Sequence, residues 1–149
     1  AGRLDTESHM AIERTFAIIK PDAVAAGHAG EILDAILKAG LAVRGMKLTR
    51  LTPAICKGFY HEHVGKGFYA ELEAFMTEAP VVILCLEGEG AILRWRDLMG
   101  ATDPAKAAEG TLRKRFGTHI GRNATHGSDR PESAAFEVGY FFNQAFDLV

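Results

Sequence analysis

The residues of this chain best suited to chemistry stand together in Asn123-Ala124-Thr125-His126-Gly127-Ser128-Asp129. A histidine changes charge near neutrality and can carry a proton or hold a ligand. With Gly127 beside it, the ring of His126 could be approached closely by a bulky substrate. Ser128 and Asp129 offer hydrogen bonds that could orient the ring, or could cap a following helix. On residue types alone, a helix cap beside an incidental histidine accounts for the stretch as well. The surroundings are basic. Between Leu112 and Pro131, Arg113, Lys114, Arg115, Arg122 and Arg130 stand against one acid, Asp129. On a chain of formal net charge −2 this is a local candidate for an anion site, and a solvated basic face is its plainer reading.

Other familiar constellations are missing or incomplete. Neither the G-x-x-x-x-G-K-[ST] phosphate loop nor the dinucleotide G-x-G-x-x-G pattern occurs. Gly65-Lys66-Gly67 and Gly88-Glu89-Gly90 are fragments that read as turns. Phosphate binding would therefore rest on side-chain cations, with or without a metal, rather than on a glycine cradle. His61 and His63 have no third ligand nearby, so they do not make a structural metal site. In the expected helix they would also point apart. Lys66-Gly67-Phe68-Tyr69 opens like an RNA-recognition signature, but Ala70-Glu71-Leu72-Glu73 continues as a helix and not as an aromatic strand.

The elements that must position these residues follow from periodicity. Thr15 to Ile19 is a short apolar run closed by Lys20-Pro21-Asp22, a buried strand and a turn. Gly30 to Ala39 is an amphipathic helix with Ile32, Leu33, Ile36 and Leu37 on one face, ended by Gly40. Leu41 to Leu51 alternates as a second strand, with a slip before Met46 and Leu48. Pro53 opens a helix running toward Tyr60 and His63. Phe68, Leu72, Phe75 and Met76 have helical spacing. Pro80 to Leu86 is continuously apolar and predicts a central strand. Ala91 to Met99 and Pro131 to Phe142 predict helices, whereas Gly100 to Gly121 has no strong core pattern. Strands separated by helices give a layered domain. The expected class is α+β, a ferredoxin-like split β-α-β sandwich with a mainly antiparallel four-stranded sheet, its strand order left open.

Composition sets the outer bounds. The chain has 149 residues, 48% hydrophobic and 24% charged, the balance of one globular domain. It excludes wholesale disorder, collagen-like repeats and a disulfide scaffold. Two cysteines, Cys56 and Cys85, fit a reducing compartment and read as small core residues. No apolar run approaches the ~20 residues of a membrane span, and a cytoplasmic protein is expected. Residues 1–9 are polar, aperiodic and followed by Met10. They read as an expression remnant, with a native arm as the alternative, and leave a single domain over 10–149.

Several motifs together resemble the nucleoside diphosphate kinases. Asn123 to Asp129 matches the N-x-x-H-G-S-D signature of that family, and Ile18 to Val24 resembles its first-strand motif. Phe59-Tyr60, His63 and Lys66-Gly67-Phe68 match its F-Y-x-x-H and aromatic segment. Arg96, Gly100 to Ala105 and Gly110-Thr111-Leu112-Arg113 follow in the family's order. The likeness spans roughly Glu13 to Phe142. Gly67 and Glu109 stand where the family often has proline, which bears on loop rigidity and subunit contacts.

The resemblance implies reversible, ping-pong transfer of a γ-phosphoryl group from a nucleoside triphosphate such as ATP or GTP to a nucleoside diphosphate. It implies a phosphohistidine on His126, whose ordinary pKa of about 6.5 leaves it a largely neutral nucleophile. Such an enzyme balances the nucleoside triphosphate pools. Glu137 would hold the unreactive ring nitrogen and Ser128 would support Glu137. Lys20 would reach the γ-phosphate and ribose, with Tyr60 beside it. Arg96, Thr102 and Arg113 would hold phosphates, and Asn123 the ribose. Phe68 would stack on the base, with Leu72 and Ile120 lining an apolar slot. Mg²⁺ would come on the phosphates, with Asp129 as an outer contact. A homo-oligomer, hexamer or tetramer, is implied as well. Nucleic acid is not expected as the main partner of a chain with this charge.

Overall fold

Ile12–Ile19 forms strand β1, and its surroundings explain its unbroken apolar run. Side chains alternate across a strand. Phe16 and Ile18 enter one core, and Ala17 and Ile19 enter another on the opposite face. Both faces are covered, so neither set can be polar. The same division runs through β3, Val81–Glu89: Val81, Ile83 and Cys85 face the first core, Leu84 and Leu86 the second. These relations come from a computed structural model that describes residues 11–149. The reading of residues 1–9 as an expression remnant lies outside the described residues.

The remaining elements, in chain order, are α1 (Pro21–Ala25), α2 (Ala29–Lys38), β2 (Ala42–Thr49), α3 (Pro53–Phe59), α4 (Tyr69–Thr77), α5 (Ala91–Met99), α6 (Leu112–Phe116), β4 (Thr125–Gly127) and α7 (Pro131–Phe141). A single 3₁₀ turn covers Pro104–Lys106. The sheet order is β2-β3-β1-β4, and every neighbouring pair is antiparallel. This is the α+β, ferredoxin-like arrangement expected from the sequence, with the strand order now assigned. The helices divide between the two faces. Cys56 and Phe59 of α3, Phe75 and Met76 of α4 and Val138 of α7 close the first core. Ile32 and Ile36 of α2, Trp95 and Met99 of α5 and Leu112 of α6 close the second.

Four local expectations change. Lys20-Pro21-Asp22 is not a bare turn, because Lys20 is the N-cap residue of α1 and Pro21 occupies its first position. The slip in β2 is a bulge between Val43 and Gly45, but it leaves Met46 and Leu48 outside, 55% and 71% exposed. Gly45 instead faces inward, where a Cβ would lie 2.7 Å from Leu148 and 2.9 Å from Phe142. Helix α3 stops at Phe59, so His61 and His63 stand in a run of turns rather than on a helix. The weakly patterned stretch 100–121 holds the 3₁₀ turn and α6, and the signature stretch contains β4, a strand too short to show periodicity.

Phe16 ties the first core to this last strand. Its ring stacks on Phe141 at 5.3 Å and 4° and meets Phe59 at 5.5 Å. It also lies edge-on to His126 at 6.1 Å. Replacing Phe16 with Ala should cost about 3–5 kcal/mol, the usual range for emptying a buried aromatic site. Urea denaturation should show this as a lower midpoint without a change in slope.

Candidate active site

His126 is the middle residue of β4, paired with Ile18 of β1. Two constraints fix this short strand. From behind, Trp95 Nε1 donates to the His126 carbonyl oxygen at 3.1 Å. The same indole packs against Gly127, where a Cβ would sit 2.6 Å from Trp95 Cδ1 and Nε1 and from Met99 Cε. Glycine at 127 is thus required by the buried indole, and not by the approach of a substrate as its place in the sequence suggests. In front, the His126 ring lies edge-on to Phe59 at 5.5 Å.

The ring is oriented by α7. His126 Nε2 lies 2.6 Å from Glu137 Oε1, and Ser128 Oγ donates to the same oxygen at 3.2 Å. A carboxylate oxygen only accepts, so Nε2 carries the hydrogen and Nδ1 keeps its lone pair. Burial holds the His126 pKa below its ordinary value, and the charges of Lys20 and Arg113 act in the same direction. The hydrogen bond and charge of Glu137 oppose them. The neutral ring with a free Nδ1 is therefore the dominant form at neutral pH. Among the described residues, Nδ1 has no hydrogen-bond partner.

The chain entering β4 is unusual. Ala124, fully buried, has φ +72°, the one non-glycine positive φ among the described residues. Thr125 N–H bonds back to the Asn123 carbonyl at 2.8 Å. Together these describe a γ-turn of the rare, strained hand, with a cost of order 1–3 kcal/mol. Three contacts from the end of β1 and its neighbour hold it. Lys20 N–H donates to the Ala124 carbonyl at 2.8 Å, and Asp22 Oδ2 accepts from the Ala124 N–H at 3.1 Å. Lys20 Nζ donates to Asn123 Oδ1 at 2.8 Å, while Asn123 Nδ2 donates to the Thr102 carbonyl at 3.0 Å.

Cations converge on this turn. Arg113, on α6, is buried and donates to the carbonyls of Gly100 at 3.0 Å and Thr125 at 2.9 Å. Its Nε is buried without a partner. Burial and the charge of Arg96 push its pKa down to about 10. Lys20 is pushed down to about 8 by burial and by Arg113, against the pull of Asp22. A cation whose pKa is lowered by a neighbouring cation marks a site that an anion would stabilise. Two other residues of the basic stretch are employed elsewhere. Arg115 pairs with Glu31 and lies over Phe116; Arg122 pairs with Glu78 and lies over Phe75. The basic stretch is therefore split between one buried site residue and surface pairs.

A cleft of about 600 Å³ opens in front of His126. Tyr60, His63, Arg96, Asp129 and Glu137 are among its walls. Burial holds the Tyr60 hydroxyl protonated far above its usual range, so it is available as a donor. Asp129 accepts from Ser133 Oγ at 2.6 Å, and that bond holds its pKa low. The apolar candidates are less closely joined. Phe68 is 51% exposed, with its ring 5.5 Å from His63. Ile120 is 61% exposed, and Leu72 is turned partly into the first core. None of these three lines the cleft. Thr102 contributes its backbone carbonyl, and its side chain is exposed.

Two residues holding the site were not singled out by sequence reasoning. Trp95 reads as one apolar position of an amphipathic helix, although it is the chain's one tryptophan. Asp22 reads as one residue of the turn that closes the first strand. Its distance in sequence from Ala124 hides their hydrogen bond.

Comparison with known proteins agrees with this geometry. The family model described as nucleoside diphosphate kinase matches residues 13–146. The chain is 62% identical to the nucleoside diphosphate kinase of Syntrophotalea carbinolica over 131 residues, covering 88% of this chain and 96% of that protein. It is 53% identical to that of Trichlorobacter lovleyi over 138 residues, covering 93% and 99%. Among solved structures, the Aquifex aeolicus nucleoside diphosphate kinase superposes with a TM-score of 0.90 at 42% identity, covering 93% of this chain and 100% of that one. The Halobacterium salinarum enzyme in complex with CDP gives 0.89 at 38%, covering 93% and 92%. Motif order, fold and overall likeness agree, and the chain belongs to the nucleoside diphosphate kinase family.

Proposed function

We propose that this chain transfers the γ-phosphoryl group of a nucleoside triphosphate to a nucleoside diphosphate through a phosphohistidine on His126. The observation that carries the reading is the 2.6 Å contact between His126 Nε2 and Glu137. It leaves Nδ1 with the lone pair to act as nucleophile, and the cleft before the ring has Arg96 and Arg130 among its walls. Nδ1 attacks the γ-phosphorus, an N–P bond forms, and the bridging P–O bond breaks with its electron pair going to the departing diphosphate. A neutral ring has no proton to shed from Nδ1, so no separate base is needed. The positive charge arising on the ring is stabilised by Glu137, which Ser128 steadies. The second diphosphate enters the same site and the steps run in reverse.

Phosphoryl transfer depends mainly on positioning and on charge. Lys20, Arg96 and Arg113 supply fixed cations, Tyr60 a hydroxyl, and Asn123 an amide for the ribose. Thr102 stands with the phosphate ligands. Phe68 offers an exposed ring for base stacking, with Leu72 and Ile120 beside the slot, and stacking tolerates every base. The supporting likeness is the Halobacterium salinarum relative, whose structure holds CDP.

Mg²⁺ fits as a cofactor carried by the nucleotide. Among the described residues, no group of three His, Cys, Asp or Glu is placed to cage a metal. Glu137 is engaged with His126, and Asp129, which accepts from Ser133, would serve as an outer ligand. When bound, the metal neutralises charge on the phosphate oxygens. We further propose a cytoplasmic homo-oligomer, hexamer or tetramer. No described helix is long and apolar enough to cross a membrane. The edge strand β2 exposes Met46 and Leu48, a face suited to burial against a second copy.

Two outcomes are expected. His126→Ala should lower exchange by more than about a thousandfold, while binding of ADP, followed by calorimetry, persists. Intact mass after ATP and Mg²⁺ should show one acid-labile phosphate in the native chain and none in the variant. Near-normal exchange by the variant would refute the assignment. The pH dependence of kcat/KM, which reports the free enzyme, should be bell-shaped. Lys20 is lost as an ammonium when pH rises through about 8, so the alkaline limb falls there. His126 becomes protonated only below the ordinary histidine value, so the acid limb lies lower than about 6.5.

A further inference from the structure

Asp22 has no part in the proposed phosphate, base and histidine contacts, yet it bonds the turn that leads into β4. It belongs to α1, immediately after Lys20, and one carboxylate oxygen accepts the Ala124 N–H at 3.1 Å. Its other oxygen, Oδ1, is buried without a partner. An unpaired buried carboxylate oxygen is costly and calls for an explanation. Ala124 is the centre of the strained γ-turn, and L-residues do not hold that conformation unaided. Of the turn's two outward-facing backbone groups, the carbonyl is taken by Lys20 N–H and the amide by Asp22. On one side of the turn Asn123 receives Lys20 Nζ; on the other the chain runs through Thr125 into His126.

We propose that Asp22 is a positioning residue: its carboxylate holds the Ala124 turn, and so sets Asn123 with Lys20 and the approach of β4 that carries His126. Its charge adds a second effect. The charged groups around Lys20 are Asp22 on α1 and Arg113 on α6, with Arg96 on α5 facing Arg113. His126 on β4 senses the Lys20 charge in turn, with Glu137 of α7 opposing it. Asp22 is the acid that favours the ammonium form of Lys20.

The test compares Asp22→Ala, which removes the acceptor, with Asp22→Asn, which keeps an acceptor oxygen without charge. Two readouts are taken: the rate of phosphoenzyme formation from ATP and Mg²⁺, and hydrogen exchange of the Ala124 amide. Asp22→Ala should slow phosphorylation by about tenfold or more, as expected for a displaced reacting group, and should lose protection at Ala124. Asp22→Asn should regain most of the rate at pH 6.5 and keep the protection. Its activity should then decline at lower pH than that of the native chain, because the ammonium of Lys20 has lost its supporting charge. An Ala variant with native rate and protection overturns the proposal, as does an Asn variant impaired as badly as the Ala variant at pH 6.5. The kinetic readout rests on His126 being the phosphorylated residue. If the native chain forms no phosphoenzyme, that reading fails, and the protection at Ala124 alone decides the role of Asp22.

Discussion

The hydrogen bond between His126 Nε2 and Glu137 decides which ring nitrogen keeps its lone pair. A free imidazole in water exchanges its proton between two nitrogens and turns about two bonds. Here the carboxylate removes the first freedom, and the edges of Phe16 and Phe59 remove the second. The rest of the molecule keeps these partners in register. β1 carries Phe16, α3 carries Phe59, α7 carries Glu137, and packing on both faces of the sheet holds these elements together.

Rigidity on the histidine side meets electrostatic tension on the other. The charge of Arg113 lowers the proton affinity of Lys20, and the charge of Arg96 lowers that of Arg113. A bound polyphosphate would relieve this repulsion, as the proposed function requires. Arg113 is doubly bound to backbone carbonyls and therefore cannot swing away to escape its neighbours.

Much of this was legible in the sequence, for physical reasons that differ by element. β1 and β3 announced themselves because two-sided burial leaves a continuous apolar run, and α5 because its apolar face repeats at helical spacing. The histidine signature was legible as a motif, and its partners Glu137, Ser128, Lys20 and Asn123 do stand around it. β4 was hidden because three residues carry no period. Helix α6 was hidden because its stretch is basic and one of its arginines points inward rather than to water. The inward turn of Gly45 and the exposure of Met46 and Leu48 depend on a bulge that shifts the strand's faces, which no local pattern marks. Phe68 and Ile120 have the character expected of a stacking slot, but the cleft before His126 does not include them.

The place of Trp95 has an optical consequence. It is the chain's one tryptophan, fully buried, and the polar end of its indole bonds the carbonyl of the histidine that faces the cleft. Tryptophan emission from this protein therefore comes from a single site in a single environment. The indole dipole is coupled through one hydrogen bond to the backbone of β4, so any change in the charge or tilt of His126 alters the field that the excited ring experiences. The protein contains its own fluorescent reporter, read without a label when excitation at the red edge spares the three tyrosines.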